Sequence, residues 1–311
     1  MTAGVVWLFP GQGSQHVGMG KALAERYASA ARTFSTASEA PATDLRTLCW
    51  DGPQGELDRT ANAQPAILTA SIAALRATAE ALGRDDPPEP LAVAGHSLGE
   101  YSAIVASGAL SLPDAIRIVR RRGELMQAAD ASGGMAAVIG LDAAAIAAVI
   151  DRSGVVVAND NAPGQVVISG PVPAIAAVTD ALKGAGAKRV IPLRVSAAFH
   201  SPAMRGVAAE LGTALAAARW GSLRYRLIAN VDADVHGRAS ELPALLERQA
   251  WSPVRWTETI RRAADMGATT FVEFGPGSVL SGLVKRILPE ARTASVSDPA
   301  SLEAALPLLG A

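Results

Sequence analysis

The sequence is organised around residues 91–105, where a short apolar strand turns sharply into a helix. Leu91 to Ala94 are apolar and of strand length, Gly95-His96-Ser97-Leu98-Gly99 forms a Gly-x-Ser-x-Gly turn, and an alanine-rich helix follows. A serine at the tip of such a corner projects its hydroxyl away from the sheet, and the glycines leave room for the tight backbone and for a substrate. The pattern predicts an α/β fold with Ser97 as a candidate nucleophile.

The N–H groups at the start of that helix lack intrahelical acceptors and lie at the positive end of the helix dipole. They can therefore stabilise the oxyanion of an acyl-transfer intermediate. The simpler interpretation is a glycine-rich turn whose serine caps a helix. A second segment supplies the base that a nucleophile needs, because His200 directly follows a predicted strand and precedes a helix that starts with Pro202. A side chain at that position can point into a cleft.

The other three histidines are weaker candidates for the base. His96 adjoins Ser97 in sequence, but on a turn we expect its side chain to point away. His16 and His236 stand in polar loops, where a lone histidine is more often exposed than catalytic. We therefore predict that His200 is the base.

Composition excludes several classes of protein. Half of the 311 residues are hydrophobic and the formal net charge is −1, so nucleic-acid binding is not expected. The single cysteine, Cys49, excludes an intramolecular disulfide, and Cys/His clusters typical of structural zinc are absent, so we expect no metal and no bound cofactor. The apolar run Val5–Phe9 ends at Pro10, which argues against a signal peptide. Residues 133–150 are divided by Gly140-Leu141-Asp142, so we expect no membrane span. The single cysteine fits a reducing compartment, and we expect a cytoplasmic protein.

The hydrophobic periodicity changes between Gly134 and Arg194 and predicts the order β-α-β-β-α-β, which is the ferredoxin-like arrangement. The predicted elements are strands Met135–Gly140, Val155–Asn159, Gln165–Ser169 and Arg189–Val195, and helices Ala143–Asp151 and Val172–Lys183. We predict a small ferredoxin-like domain at residues 131–195, inserted into a large α/β domain formed by residues 1–130 and 196–311.

The loop Pro10-Gly11-Gln12-Gly13-Ser14-Gln15 follows an apolar strand and invites a nucleotide-binding interpretation. That interpretation is weak, since His16 replaces the third glycine of the G-x-G-x-x-G pattern. The loop can instead bring backbone N–H groups and the Gln12 amide up to a reacting carbonyl. Residues 35–60 are polar and predicted to be irregular, and a buried helix with proline near its first turn is expected from Gln64-Pro65 onward.

A predicted helix that begins at Leu112 carries four arginines. Such a run is usually a solvated helix face with local ion pairs, and we assign that interpretation to Arg117, Arg120 and Arg121. Arg122 is the exception, for a reason that comes from the resemblance described next.

Six motifs together resemble the malonyl-CoA:acyl carrier protein transacylases, in the family's order and spacing, from about residue 5 to about residue 295. The related acyltransferase domains of polyketide and fatty acid synthases share these motifs. The resemblance implies an α/β-hydrolase-like large domain with a parallel sheet core and a ferredoxin-like insert. The motifs are Gly11-Gln12-Gly13-Ser14-Gln15, Gly95-His96-Ser97-Leu98-Gly99, Arg122-Gly123-x-Leu125-Met126, Phe199-His200, Gln249 ahead of Pro253-Val254-x-Trp256, and Gly275-Pro276-Gly277.

The resemblance implies a role for each matched residue. Ser97 would accept the malonyl group from malonyl-CoA as an ester, and His200 would activate it. The backbone N–H groups at Gln12 and Leu98 would form the oxyanion hole. The backbone carbonyl at Gln249 would orient the histidine, so no acidic member of a triad is required. The second substrate would be the phosphopantetheine thiol of an acyl carrier protein.

Two matched residues would select the acyl group. Arg122 matches the arginine that pairs with the free malonyl carboxylate, and Phe199 matches a bulky ring that leaves little space for an α-methyl branch. Because carrier proteins of this type are acidic, a basic rim near the cleft is expected. Lys188, Arg189, Lys285 and Arg286 match positions suggested for that contact, although ordinary solubilising charges explain them almost as well.

Several alternatives stay open at this point. A serine hydrolase or thioesterase can use the same elbow, although such enzymes usually order their triad as Ser, Asp or Glu, then His. A non-catalytic carrier-binding subunit is a second alternative. Within the family, fatty acid synthesis is the default, and a stand-alone polyketide acyltransferase is the main rival. A malonate decarboxylase subunit typically departs from the Gly-His-Ser-Leu-Gly-Glu form. A monomer is the family's usual state.

Overall fold

The computed structural model describes residues 4–39 and 44–310. Its strands are β1 (Val5–Phe9), β2 (Ala92–Gly95), β3 (Gly133–Ile139), β4 (Val156–Ala162), β5 (Gln165–Pro171), β6 (Arg189–Pro192), β7 (Leu227–Ile228), β8 (Val235–His236), β9 (Thr270–Phe274) and β10 (Arg292–Val296). Its α-helices are α1 (Lys21–Arg26), α2 (Ala28–Ser38), α3 (Leu45–Asp51), α4 (Gln54–Leu57), α5 (Thr60–Ala81), α6 (Gly99–Ala106), α7 (Leu112–Gln127), α8 (Ala143–Ile150), α9 (Val172–Gly184), α10 (Arg205–Ala216), α11 (Leu242–Gln249), α12 (Trp256–Asp265), α13 (Val279–Ile287) and α14 (Pro299–Ala305). Short 3-10 helices cover Pro202–Met204, Ala239–Glu241 and Leu306–Leu309.

A six-stranded sheet in the order β10-β9-β1-β2-β7-β8 forms the centre of the large α/β part. All neighbouring strands are parallel except β7 and β8, which are antiparallel. Strand β1 is buried at every residue, with Trp7 and Phe9 packed into one hydrophobic cluster and Val6 and Leu8 into another. A parallel sheet covered on both faces requires such a continuous apolar run. The predicted α/β class with a parallel core is confirmed.

A second sheet has four antiparallel strands in the order β4-β5-β3-β6. Helices α8 and α9 contribute apolar side chains to one hydrophobic cluster with β3 and β5. This is the predicted β-α-β-β-α-β arrangement. The division of the chain at residues 130/131 and 195/196 stays a prediction.

Strand β6 is shorter than predicted, because it ends at Pro192 instead of continuing to Val195. The N–H of Leu193 still bonds to the carbonyl of Met135, but the N–H of Val195 turns back to the carbonyl of Leu193 at 3.1 Å. This tight turn removes the chain from the sheet. His200 consequently follows an irregular segment and not a strand, which corrects that part of the prediction.

Residues 35–60 were predicted to be irregular, and this was wrong for most of them. Helix α2 continues to Ser38, and α3 and α4 follow, with residues 40–43 outside the described part of the chain. The Asp44 side chain accepts the N–H of Thr47 and so starts α3 with a local cap. Helix α5 begins at Thr60, so Pro65 lies inside the helix and not near its first turn.

The apolar stretch at residues 133–150 forms β3 and α8, as predicted, with Asp142 accepting the N–H of Ala145 at 2.8 Å as the helix cap. No helix within residues 4–39 and 44–310 combines the length and the apolar character needed to cross a membrane. The same residues contain no group of three or more His, Cys, Asp or Glu side chains placed to hold a metal ion. Cys49 is a free, buried thiol.

Candidate active site

Three parallel strands end side by side and deliver the loops that build the site. Phe9 at the end of β1 pairs with Gly95 at the end of β2, and β7 pairs with the other side of β2. Loops that follow adjacent parallel strands meet at the carboxyl edge of a sheet. The loop that carries Gln12, the elbow that carries Ser97 and the turn that carries Asn230 are therefore neighbours.

The predicted elbow is present, and its backbone is strained. Ser97 has a φ of 50°, in the left-handed region that non-glycine residues rarely adopt. The flanking glycines are required by close contacts. A Cβ on Gly95 would lie 1.9 Å from the carbonyl carbon of Gly99, and a Cβ on Gly99 would lie 2.0 Å from the carbonyl oxygen of Phe9.

The side chain of Asn230 holds this strained backbone through two hydrogen bonds. Its Oδ1 accepts the N–H of Ser97 at 2.7 Å, and its Nδ2 donates to the carbonyl of Gly95 at 2.7 Å. Among the described residues, the N–H groups of Gln12 and Leu98 have no such acceptor, although both residues line the same cavity. These two N–H groups are available to a ligand, whereas that of Ser97 is occupied.

Ser97 and His200 form a hydrogen-bonded pair. Oγ of Ser97 lies 2.8 Å from Nε2 of His200, while Nδ1 of the ring lies 3.0 Å from the carbonyl of Gln249 and 3.1 Å from that of Ser252. Since carbonyl oxygens only accept, Nδ1 carries the proton and Nε2 is left to accept the serine O–H. Burial, and secondarily the nearby Arg122 charge, lower the pKa of His200 to about 3. The ring is neutral at physiological pH and able to take a proton.

Arg122 lies at the serine with no acidic partner. It is 1% exposed, and its Nη2 donates to Oγ of Ser97 at 3.1 Å and to Oε1 of Gln249 at 3.3 Å. Its Nη1 donates to Oε1 of Gln64 at 2.8 Å, and its Nε is unpaired within the described chain. No carboxylate of the described residues bonds to it. Because an uncompensated buried guanidinium is costly, the arrangement favours an anion beside Ser97.

The site opens into a cavity of about 500 Å³ whose lining residues come from the large α/β part and from the smaller sheet. The lining combines residues that the sequence predicted with others that it did not. The predicted residues that line it are Gln12, Ser97, Leu98, Arg122, Phe199 and His200. The unpredicted ones include Met126, Met135, Asn159, Leu193, Arg194 and Val195. Gln249 is fully buried and contacts the site through its backbone and side chain.

Two of the remaining histidines have partners of their own, and one of them, His236, differs from its prediction. His96 also borders the cavity, but its ring does not bond to Ser97, since Nε2 lies 2.7 Å from Oδ1 of Asn161 and the ring packs against Trp256. Burial lowers the pKa of His96. His236 belongs to β8 and lies between Asp232 and Glu241 instead of standing free in a polar loop.

The other basic residues that the sequence analysis named lie outside the lining of the cavity. On α7, Arg117 pairs with Asp114 and Arg121 with Glu210, as expected of a solvated helix face, while the half-buried Arg120 donates to Asn62. Lys188 and Arg189 are exposed. Lys285 donates to the carbonyl of Pro289, and Arg286 donates to Oε1 of Gln165 and to the carbonyl of Pro163. Contact of Lys188, Arg189, Lys285 and Arg286 with a carrier protein stays a prediction.

The parallel sheet, the strained serine and its carbonyl-held histidine together have the architecture of a serine-based α/β acyl-transfer enzyme. Residues 6–306 match the family described as acyl transferase domain, and the chain belongs to that family. The malonyl CoA-acyl carrier protein transacylase of Bacillus subtilis (strain 168) is 45% identical over 312 aligned residues, which cover 98% of this chain and 97% of that protein.

Two solved structures extend the comparison. The acyl-carrier-protein S-malonyltransferase of Bartonella henselae has a TM-score of 0.95 at 39% identity and covers 99% of this chain and 100% of its own. A malonyl-transacylase in complex with its type II PKS acyl-carrier protein has a TM-score of 0.93 at 40% identity, with 98% and 99% covered. This chain is similar to both over nearly its whole length.

Proposed function

We propose that this chain moves a malonyl group from malonyl-CoA to the phosphopantetheine thiol of an acyl carrier protein through an ester of Ser97. The observation that carries the proposal is the position of Arg122, a buried guanidinium 3.1 Å from Oγ of Ser97 with no carboxylate bonded to it in the described protein. A substrate with a free carboxylate near its thioester supplies the missing partner. The names of the relatives support the same assignment.

Transfer to the enzyme begins with proton transfer from the Ser97 hydroxyl to Nε2 of His200. Oγ attacks the thioester carbonyl, and the N–H groups of Gln12 and Leu98 stabilise the tetrahedral oxyanion. The C–S bond then breaks, and the leaving sulfur of CoA takes the proton from His200. Malonyl-Ser97 and CoA-SH are the products of this half-reaction.

The second half-reaction runs the same steps in reverse with a different thiol. The phosphopantetheine S–H gives its proton to His200, its sulfur attacks the ester carbonyl, and the Ser97 oxygen leaves with the proton. The result is malonyl-carrier protein and free enzyme. The backbone carbonyls of Gln249 and Ser252 hold the imidazole throughout, so the scheme needs no acidic third residue.

Arg122 and Phe199 would define which acyl group is accepted. A guanidinium binds a carboxylate through two parallel hydrogen bonds, which a neutral acetyl group cannot replace. Phe199 is 5% exposed, lines the cavity and packs with Met126 and Met135, so its ring is held in place against an α-branched acyl group.

We infer that the enzyme serves fatty acid synthesis and acts as a monomer in the cytoplasm. The complex of a similar transacylase with a type II PKS carrier keeps polyketide synthesis as the second candidate. Lys188, Arg189, Lys285 and Arg286 are proposed to attract the acidic carrier. Kinetic comparison of a fatty acid carrier with a polyketide carrier would separate the two pathways.

Intact-protein mass spectrometry after mixing with malonyl-CoA or acetyl-CoA tests the proposed reaction. We expect an adduct with malonyl-CoA that is absent in Ser97→Ala and is discharged by phosphopantetheinylated carrier protein. Steady release of free malonate at a rate that the carrier does not change would instead identify a hydrolase. An unmodified wild-type protein would refute the acyl-enzyme route.

A further inference from the structure

Glu100 is a buried carboxylate that the proposed reaction does not use. It lies in the first turn of α6, three positions after Ser97, and is 0% exposed. Its Oε2 accepts the backbone N–H of Asn230 at 2.9 Å and Nε2 of Gln249 at 3.0 Å, while its Oε1 has no partner within the described chain. Burial raises its pKa to about 7. A carboxylate in such a place costs stability and therefore calls for an explanation.

The carboxylate determines how the Gln249 amide is oriented. Nε2 of Gln249 donates to Oε2 of Glu100 and also to the carbonyl of Ser97 at 2.9 Å, so both amide hydrogens have acceptors. Oε1 of Gln249 is thereby turned towards Nη2 of Arg122 at 3.3 Å. An amide turned over would direct its oxygen at two acceptors and its hydrogens at a guanidinium, which is unfavourable at every contact.

The same carboxylate also supports the elbow. The backbone N–H of Asn230 is bonded to Glu100, and the side chain of Asn230 bonds to the N–H of Ser97 and to the carbonyl of Gly95. Glu100 thus has two routes to the site, one through Gln249 to Arg122 and the other through Asn230 to the strained backbone of Ser97.

We propose that Glu100 is a positioning residue for acyl-group selection: through the Gln249 amide it holds Arg122 beside the Ser97 hydroxyl. The inference rests on the proposed malonyl transfer. Glu100 makes no contact with the substrate-facing atoms of the site and acts only through Gln249 and Asn230. No hydrogen bond joins Glu100 to Arg122 directly, so Glu100 leaves the place of the substrate carboxylate free.

Competition between malonyl-CoA and acetyl-CoA for Ser97 measures this role directly. Equimolar CoA esters at pH 8 are mixed with the enzyme, the reaction is quenched before saturation, and the ratio of malonyl to acetyl adducts is read by intact mass. The ratio does not depend on the fraction of folded protein, so a loss of stability alone leaves it unchanged.

Glu100→Gln keeps the shape of the side chain but replaces the charged acceptor of the Gln249 amide with a neutral one, so the hydrogen bond that orients this amide becomes weaker. We expect the malonyl-to-acetyl ratio to fall by about 10-fold, the difference between a charged and a neutral hydrogen bond. Gln249→Met removes the amide but keeps the backbone carbonyl that holds His200, and we expect a fall at least as large. The double variant should match Gln249→Met, because Glu100 then has no amide to orient, while its other route, through Asn230, acts on the Ser97 backbone that both acyl groups use equally.

Glu273→Gln is the matched control. Glu273 is also a fully buried carboxylate with a raised pKa, but it accepts the N–H groups of Leu280 and Ser281 at the start of α13, away from Arg122. We expect its adduct ratio to equal that of the wild type.

A wild-type ratio in Glu100→Gln, or a further fall when it is combined with Gln249→Met, would overturn the inference. If Glu100→Gln yields no folded protein, an unchanged ratio in Gln249→Met alone overturns it. Failure of the proposed function is a separate result, because the wild-type enzyme would then form no malonyl adduct.

Discussion

Nη2 of Arg122 lies 3.1 Å from Oγ of Ser97, so the guanidinium touches the hydroxyl that the substrate is proposed to acylate. Because of this contact, the carboxylate of a malonyl group can bind Arg122 while its thioester carbonyl lies at Ser97. A neutral acyl chain fills the same space without compensating the buried charge. The first prediction follows from this contact.

Arg122→Ala should lower kcat/KM for malonyl-CoA by about 30- to 4000-fold, because one partner of a buried charge pair is lost. The preference for malonyl-CoA over acetyl-CoA should shrink by a similar factor. Steady-state kinetics with both thioesters measures the effect. Arg121→Ala is the control, since the side chain of Arg121 is 48% exposed and pairs with Glu210 on the surface. Unchanged malonyl kinetics in Arg122→Ala would remove Arg122 from the site.

Phe199→Leu should admit α-branched acyl groups. The ring of Phe199 lines the cavity, so a smaller side chain creates room for one methyl group. We expect the kcat/KM for methylmalonyl-CoA relative to malonyl-CoA to rise by about 10-fold, the usual scale of discrimination by one methylene. Methylmalonyl-CoA and malonyl-CoA kinetics on the same preparation provide the measurement. An unaltered ratio would show that another wall of the cavity excludes the branch.

His200 should remain neutral well below the pH at which an unperturbed histidine titrates. Its pKa in the folded protein is lowered to about 3, against about 6.5 in an unfolded chain, so the unfolded state binds the proton first as the pH falls. The native state therefore loses stability from about pH 6.5 downward. NMR of ring-labelled histidine should show the neutral Nδ1–H form of His200 between pH 8 and pH 5. Protonation near pH 6.5 would contradict this assignment.

Glu100→Gln should stabilise the fold at alkaline pH even though it is expected to weaken acyl selection. The pKa of Glu100 is raised to about 7 in the folded protein, from 4.5 for an unperturbed side chain. Its contribution to the free energy of unfolding is therefore fully present below about pH 4.5 and is lost as the pH rises through 7. The variant mimics the protonated carboxyl and escapes this loss, which amounts to about 3 kcal/mol. Urea unfolding at pH 5 and pH 8 should show a much larger gain at pH 8 than at pH 5. Equal stability differences at both values would indicate that Glu100 is protonated throughout.

The sequence predicted the elements that depend on local patterns. Strand β1 agrees residue for residue with the continuous apolar run Val5–Phe9, and the elbow follows from the glycines beside Ser97. The order of the four strands of the smaller sheet and of its two helices was also predicted from the sequence, because each element has its own hydrophobic periodicity. The position of Arg122 came from the resemblance alone, because an arginine in a run of four is locally indistinguishable from its solvated neighbours.

Contacts between distant parts of the chain escaped prediction. Asn230 stands 133 residues from Ser97, and only the pairing of β7 with β2 brings it to the elbow. Glu100 belongs to a motif visible in the sequence, but its partners at 230 and 249 exist only in the fold. The early end of β6, which sends residues 193–195 to the cavity, depends on one tight turn after Pro192.

The ring of His200 is held by the main-chain carbonyls of Gln249 and Ser252. Every amino acid possesses that carbonyl group, so side-chain substitution at either position leaves the acceptor itself in place. Mutating every position of the chain in turn would therefore identify no third side chain that acts with Ser97 and His200. A search for co-varying residues would miss the two carbonyl groups for the same reason. The orientation of the proposed base is encoded in the path of the backbone between α11 and α12, so insertions and deletions there should damage it more than point mutations.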